Sequence, residues 1–178
     1  MTPTKPQTTL AKANPTKYNK EMPVVDVDSS QTTTGNPLYN MTSLEETIIN
    51  HEGLKNYVYV DTTNNYTIGI GRNISPGGQG ISNAECVYLL RNDIERIKNQ
   101  IKDYSWYVNQ DRVRQEALVE LTFNLGLNGL LTFKLMLAEM ERKDYINAAK
   151  ELLDSIWATQ VGTSRAINIA NRIRTGTY

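Results

Sequence analysis

The sequence predicts an α+β fold with segregated layers: one helix, a small antiparallel sheet, then a run of helices. Three observations predict it. Capping-box patterns open helices at Ser43 with Glu46 and at Ser82 with Glu85. Period-two alternation in "YVYVD" and "YTIGIG" flanks the turn-forming "TTNN". From residue 83 onward the apolar spacing is helical.

Residues 1–40 stand apart from the rest. Five of the six prolines fall there, with Thr32–Thr34 and many Lys, Asn and Gln residues. Such a stretch buries too little apolar surface to offset its ordering entropy, which predicts an extended or disordered arm. One island, "MPVVDVD", carries Val24, Val25 and Val27. It reads either as a short strand that adds to a partner or as incidental valines in a linker.

Residues 41–178 read as one folded domain. In "TSLEETIINHEG", Leu44 and Ile48 lie four apart and Gly53 is the expected stop. The two alternating runs form a hairpin. A Pro-Gly-Gly loop then leads to a long helix from about 83 to 102, with Val87, Leu90, Ile94, Ile97 and Ile101 on one stripe. Helices follow at about 111–125, 131–142, 144–157 and 163–173, with Gly126 and Gly129 punctuating the first junction.

Composition narrows the function. The 178 residues have zero formal net charge and a pI of about 6.6, which argues against wholesale nucleic-acid or anionic-membrane binding. A single cysteine, Cys86, and a single histidine, His51, leave no basis for a Cys- or His-based metal site. Cys86 is expected to be half-buried in its helix and unreactive. The most apolar stretch, residues 118–137, contains Glu120, Asn124, Asn128 and Lys134, too polar to span a bilayer, and no Sec-type signal opens the chain. "GIGRNI" has Ile74 where a dinucleotide loop needs its third glycine, so no cofactor is expected.

The chemistry concentrates in residues 50–71. Glu52 sits in the last turn of the first helix, where the negative end of the macrodipole opposes a carboxylate's charge, a bias that suits a general acid. Many helices also end in an idle surface glutamate. Alternation places Asp61 on one face of the first strand with Tyr57 and Tyr59. On the second strand Thr67, Gly69 and Gly71 share a face almost bare of side chains, which marks either close approach by a ligand or simple strand packing. An acid on one wall, facing a carboxylate and a hydroxyl on the other, suits cleavage of a glycosidic bond. The carboxylate then activates water or attacks directly, according to its separation from the acid.

"HEGLKNYVYVDTTNNYTIGIG" closely resembles the active-site segment of the phage-type lysozymes, the muramidases of tailed bacteriophages. "ALVELTFNLGLNGLLTF" is similar to their central helix and Gly-rich turn, and residues 148–177 to their closing helices. The resemblance covers about residues 42–178 and rests on a specific spacing: Glu, eight residues, Asp, five residues, Thr, then Gly-Ile-Gly. It implies a small sheet-bearing lobe joined by the long helix to a larger helical lobe. It also implies cleavage of the β-1,4 bond between N-acetylmuramic acid and N-acetylglucosamine in peptidoglycan. By the same resemblance Glu52 is the general acid, Asp61 the second carboxylate and Thr67 the catalytic threonine. The outcome is inversion, which needs carboxyl groups roughly 6.5–9.5 Å apart. Phe123 and Asn124 match residues lining the sugar cleft, Arg165 an arginine that pairs with the acid, and Trp157 a core tryptophan. Such a pairing would offset the macrodipole's influence on Glu52.

This chain departs from the pattern at several positions. Met136 and Glu151 stand where family members hold small polar residues, and Arg72 replaces a histidine. The presence of both carboxylates speaks against a catalytically inactive, purely structural module, while cleavage of chitin-like polymers remains the related enzyme reading. The Pro/Thr-rich arm favours a lysozyme carried in the virion and docked to tail or baseplate proteins through residues 1–40. The alternative is a free endolysin with a disordered leader.

Overall fold

The computed structural model describes residues 41–178, and the chain divides into two units after Leu54. The predicted arm and its "MPVVDVD" island lie outside the described residues.

In the first unit, α1 spans Ser43–Glu52. Its N-cap is Thr42 and not Ser43: the Thr42 hydroxyl accepts from Glu45 N at 3.3 Å, and the Glu45 carboxylate accepts from Thr42 N at 2.6 Å. "TSLEE" contains two overlapping capping boxes, so spacing alone cannot choose between them. Gly53 ends the helix at φ +74°, its N–H donating to Ile49 O at 2.8 Å. No residue of α1 is buried.

The second unit begins with a three-stranded antiparallel sheet in the order β1 (Lys55–Val60), β2 (Tyr66–Gly69), β3 (Arg72–Asn73). Sequence alternation suggested one strand through Gly71. The strand instead stops at Gly69, because Gly69 and Gly71 both take positive φ (+68° and +72°) and turn the chain into β3. Tyr59 pairs with Thr67 and Val60 with Tyr66, and a register shift lies between Lys55 and Tyr59.

Helix α2 (Asn83–Ile101) opens on the predicted box: the Ser82 hydroxyl accepts from Glu85 N, and the Glu85 carboxylate from Ser82 N. Arg72 of β3 reaches the same carboxylate at 2.7 Å and donates to Gly80 O at 3.1 Å, tying the sheet to the start of α2. The apolar stripe of α2 divides: Ile97 and Ile101 are in the core, whereas Val87 and Leu90 are exposed. Cys86, on the same uncovered half, is exposed too, contrary to the half-buried position expected of it.

The helical layer continues with α3 (Ser105–Val108), α4 (Arg112–Leu130), α5 (Lys134–Glu141), α6 (Tyr145–Leu153), α7 (Ile156–Gln160) and α8 (Thr163–Thr175). The one-turn α3 escaped prediction because four residues are too few for a periodicity. The expected helix 144–157 breaks because Ser155 caps a new start, its hydroxyl accepting from Ala158 N at 3.2 Å. Gly126, at φ +69° and ψ 163°, kinks α4. Ile101, Leu118, Leu121, Met140, Leu152, Ile169 and Ile173 form the fully buried centre, flanked by Met136 and Trp157. Among the described residues no single helix is long and apolar enough to cross a membrane.

Candidate active site

The loop joining β1 to β2 builds itself around one side chain. Asp61 Oδ1 accepts from Thr63 N at 2.8 Å, from Thr63 Oγ1 at 2.8 Å and from Asn65 N at 2.9 Å. The backbone closes the same loop, with Asp61 N donating to Asn65 O at 2.9 Å and Asn64 N to Asp61 O at 3.1 Å. Asn64 makes this possible by adopting φ +66°, a conformation that asparagine tolerates better than most residues.

The second carboxylate oxygen is left for other work. Thr67, the second residue of β2, donates its hydroxyl to Asp61 Oδ2 at 3.3 Å, sharing the proton with Asn65 O at 3.4 Å. The structure therefore brings Asp61 and Thr67 together. The Asn65 N–H lowers the pKa of Asp61 most, followed by the Thr63 hydroxyl. A modest loss of hydration opposes them, and the Thr63 N–H and Thr67 hydroxyl add to the lowering. Asp61 is thus a carboxylate at neutral pH, the state required of a base or water-positioning group. Thr67 differs from the open face expected of it: the residue is only 2% exposed. Alternation assigns a residue to a face but does not say what covers that face.

Glu52 belongs to the first unit, where it is the last residue of α1, exposed and directly before the Gly53 cap. The remaining residues named from the sequence lie in the second unit. Gly69 borders a cavity of about 590 Å³ between the sheet and the start of α2, lined by Ile68, Ile70, Ile81, Tyr88 and Leu89 among others. A Cβ built on Gly69 meets nothing within 4 Å, so its backbone conformation, not crowding, demands glycine. Gly71 completes the same turn.

Phe123 and Asn124 are neighbours on α4. Asn124 Oδ1 accepts from Trp157 Nε1 at 2.7 Å, which satisfies the indole N–H of a tryptophan only 6% exposed. Phe123 is half exposed and lines two cavities of about 660 and 650 Å³, both bordered by α2 and α4. Arg165 lies 3.4 Å from the Glu120 carboxylate, which also holds the buried Arg172, so two of the three arginines of α8 are tied to α4 through Glu120. Met136 and Glu151, two of the departures from the family pattern, line one cavity of about 460 Å³ with Trp157.

Sequence reasoning did not single out Thr63 and Asn65, which complete the cradle of Asp61. A signal for them exists: Asp followed two residues later by a residue with N–H and hydroxyl donors is the pattern of an Asx turn. Among the described residues no group of three or more His, Cys, Asp and Glu side chains could hold a metal.

Comparison with known proteins follows the same segments. Residues 49–172 match the phage lysozyme family. The chain is 28% identical over 165 residues to probable T4-type lysozyme 1 of Dictyostelium discoideum, and 31% identical over 165 residues to probable T4-type lysozyme 2 of that organism. Each alignment covers 77% of this chain and 96% of the relative. A further similarity, 31% over 162 residues, is to the pre-baseplate central spike protein Gp5 of Enterobacteria phage T4. It covers 75% of this chain and 28% of that longer protein.

Proposed function

The chain belongs to the phage lysozyme family and is a muramidase that hydrolyses peptidoglycan, and from that premise we propose how its residues divide the reaction. Glu52 donates its proton to the glycosidic oxygen as the bond from C1 of N-acetylmuramic acid to O4 of N-acetylglucosamine breaks. A water held by Asp61 Oδ2 and the Thr67 hydroxyl attacks C1 from the opposite face and passes its proton to Asp61. The products are a reducing N-acetylmuramic acid end, inverted at C1, and a free 4-hydroxyl. Exchange with solvent restores both carboxyl groups.

The observation that carries this division is the asymmetry of Asp61: among the described residues Oδ1 takes three donors and Oδ2 only the long Thr67 contact. A carboxylate held so firmly ionised is a weak base, yet a water adding to a developing oxocarbenium ion becomes acidic enough to need no stronger one. Phe123 and Asn124 are proposed to line the sugar cleft, and Gly69 and Gly71 to leave room beside it. Arg165 supports the site by holding α8 to α4 through Glu120. The test is digestion of purified peptidoglycan, with new reducing ends trapped by borohydride. Wild type is expected to yield reduced muramic acid, and Glu52→Gln to fold normally and yield almost none. Reduced glucosamine ends, or undiminished cleavage by Glu52→Gln, would overturn the assignment.

Two observations favour work in the virion over a free endolysin. One is the relationship to a pre-baseplate spike protein; the other is the Pro/Thr-rich composition of residues 1–40. Mass spectrometry of purified particles decides: the protein is expected among tail components, and its absence there would end that reading.

A further inference from the structure

The catalytic proposal needs Asp61 to present one particular oxygen to Thr67, yet nothing in a carboxylate distinguishes its two oxygens. Rotation about χ2 of aspartate is broad and roughly two-fold. The Thr67 contact, at 3.3 Å and shared with Asn65 O, is too long to fix that rotation by itself. The opposite oxygen is where the restraint lies. Two of its donors are backbone N–H groups that any residue except proline supplies at those positions. The third is the Thr63 hydroxyl, at 2.8 Å.

That hydroxyl is itself oriented. Asn65 Nδ2 donates to Thr63 Oγ1 at 2.8 Å, occupying a lone pair and leaving the single hydroxyl proton for Asp61. The result is a short relay, Asn65 amide to Thr63 hydroxyl to Asp61 Oδ1, in which each bond polarises the next. We propose that Thr63 is a positioning residue for this reaction: its hydroxyl, aimed by the Asn65 side chain, sets the plane of the Asp61 carboxylate so that Oδ2 faces Thr67. Thr63 does not touch substrate in this scheme and acts through Asp61. The inference rests on the reading of Asp61 given above.

Thr63→Val keeps the shape and the backbone donor and removes only the hydroxyl, while Thr63→Ser keeps the hydroxyl. Steady-state kinetics on soluble peptidoglycan fragments separate kcat from KM. Thr63→Val is expected to lower kcat about tenfold, the scale of one hydrogen bond to a charged group, with KM unchanged. Thr63→Ser is expected to restore most of kcat, and Asn65→Ala to lower kcat severalfold. The proposal is overturned by a wild-type kcat in Thr63→Val, by a loss confined to KM, or by a loss that Thr63→Ser does not relieve. Should Thr63→Val not fold, an unchanged kcat in Asn65→Ala overturns it equally. Asp61→Asn, measured in parallel, separates the two levels. An inactive Asp61→Asn beside a fully active Thr63→Val removes only the role of Thr63, whereas an active Asp61→Asn removes the assignment of Asp61 itself.

Discussion

Because the Asn65 N–H and the Thr63 hydroxyl donate to Asp61, its carboxyl is held below the ordinary aspartate value. The unfolded chain, with a value of about 3.9, therefore binds this proton more tightly than the folded one. Asp61 thus adds stability above about pH 4, and that contribution disappears as pH falls through the lower folded value. The melting temperature of Asp61→Asn is accordingly expected to lie below wild type at pH 7, with the gap narrowing below about pH 4; a constant gap would refute the linkage. Thr67 gives a contrasting expectation at the same scale. Its hydroxyl makes only long contacts of 3.3 and 3.4 Å, so it holds the fold weakly although the residue is buried. Thr67→Val is expected to change stability by less than about 1 kcal/mol and to lower hydrolysis by about a hundredfold. Calorimetry and reducing-end release check the two halves separately.

The elements that carry these residues are set by glycines at positive φ. Gly53 closes α1 directly after Glu52 at φ +74°, and Gly69 ends β2 at φ +68°. A Cβ at either position meets nothing within 4 Å, so substitution strains the backbone without crowding a neighbour. Gly69→Ala is expected to cost roughly 1–2 kcal/mol, read as a lower urea midpoint. A neutral substitution would show that β2 does not need that turn. These elements also show what the letters of a sequence convey. The Ser82–Glu85 box, the hairpin and the start of α2 were legible because local bonding alone specifies them. The Ser155 break and the β3 strand were not, since the first follows from one residue's cap and the second from the dihedrals of two glycines inside a run that otherwise keeps its period. In the site, the meeting of Asp61 and Thr67 could be read from alternation across a turn. The Asx turn gives a signal for the Thr63 bond to Asp61, but the bond from the Asn65 side chain to Thr63 has none, because it depends on Asn64 entering the left-handed region.

At the scale of the molecule, the buried core and the three residues proposed for catalysis occupy different parts of the chain. Among the described residues the hydrophobic core runs from Ile97 to Ile173, entirely within the helical layer, whereas Glu52, Asp61 and Thr67 precede it in sequence. Truncating the fully buried Leu152 to alanine is expected to cost about 2–5 kcal/mol by denaturant titration, with the rate per folded molecule retained. A loss of catalysis exceeding the loss of folded protein would show that Leu152 shapes the site and not the core alone. The sheet, by contrast, is joined to α2 by the Arg72–Glu85 pair and bears many exposed apolar side chains, an arrangement that leaves it freer to move than the helices.

The claim on which the mechanism turns is that Asp61 and Thr67 hold a water that attacks C1 instead of letting the carboxylate attack. Proton NMR of the first products, recorded before mutarotation equilibrates them, reads the anomeric configuration at the new reducing end. The α-anomer of N-acetylmuramic acid is expected from the β-linked glycan. A β-anomer appearing first would mean double displacement and would contradict the water-holding role assigned to the pair.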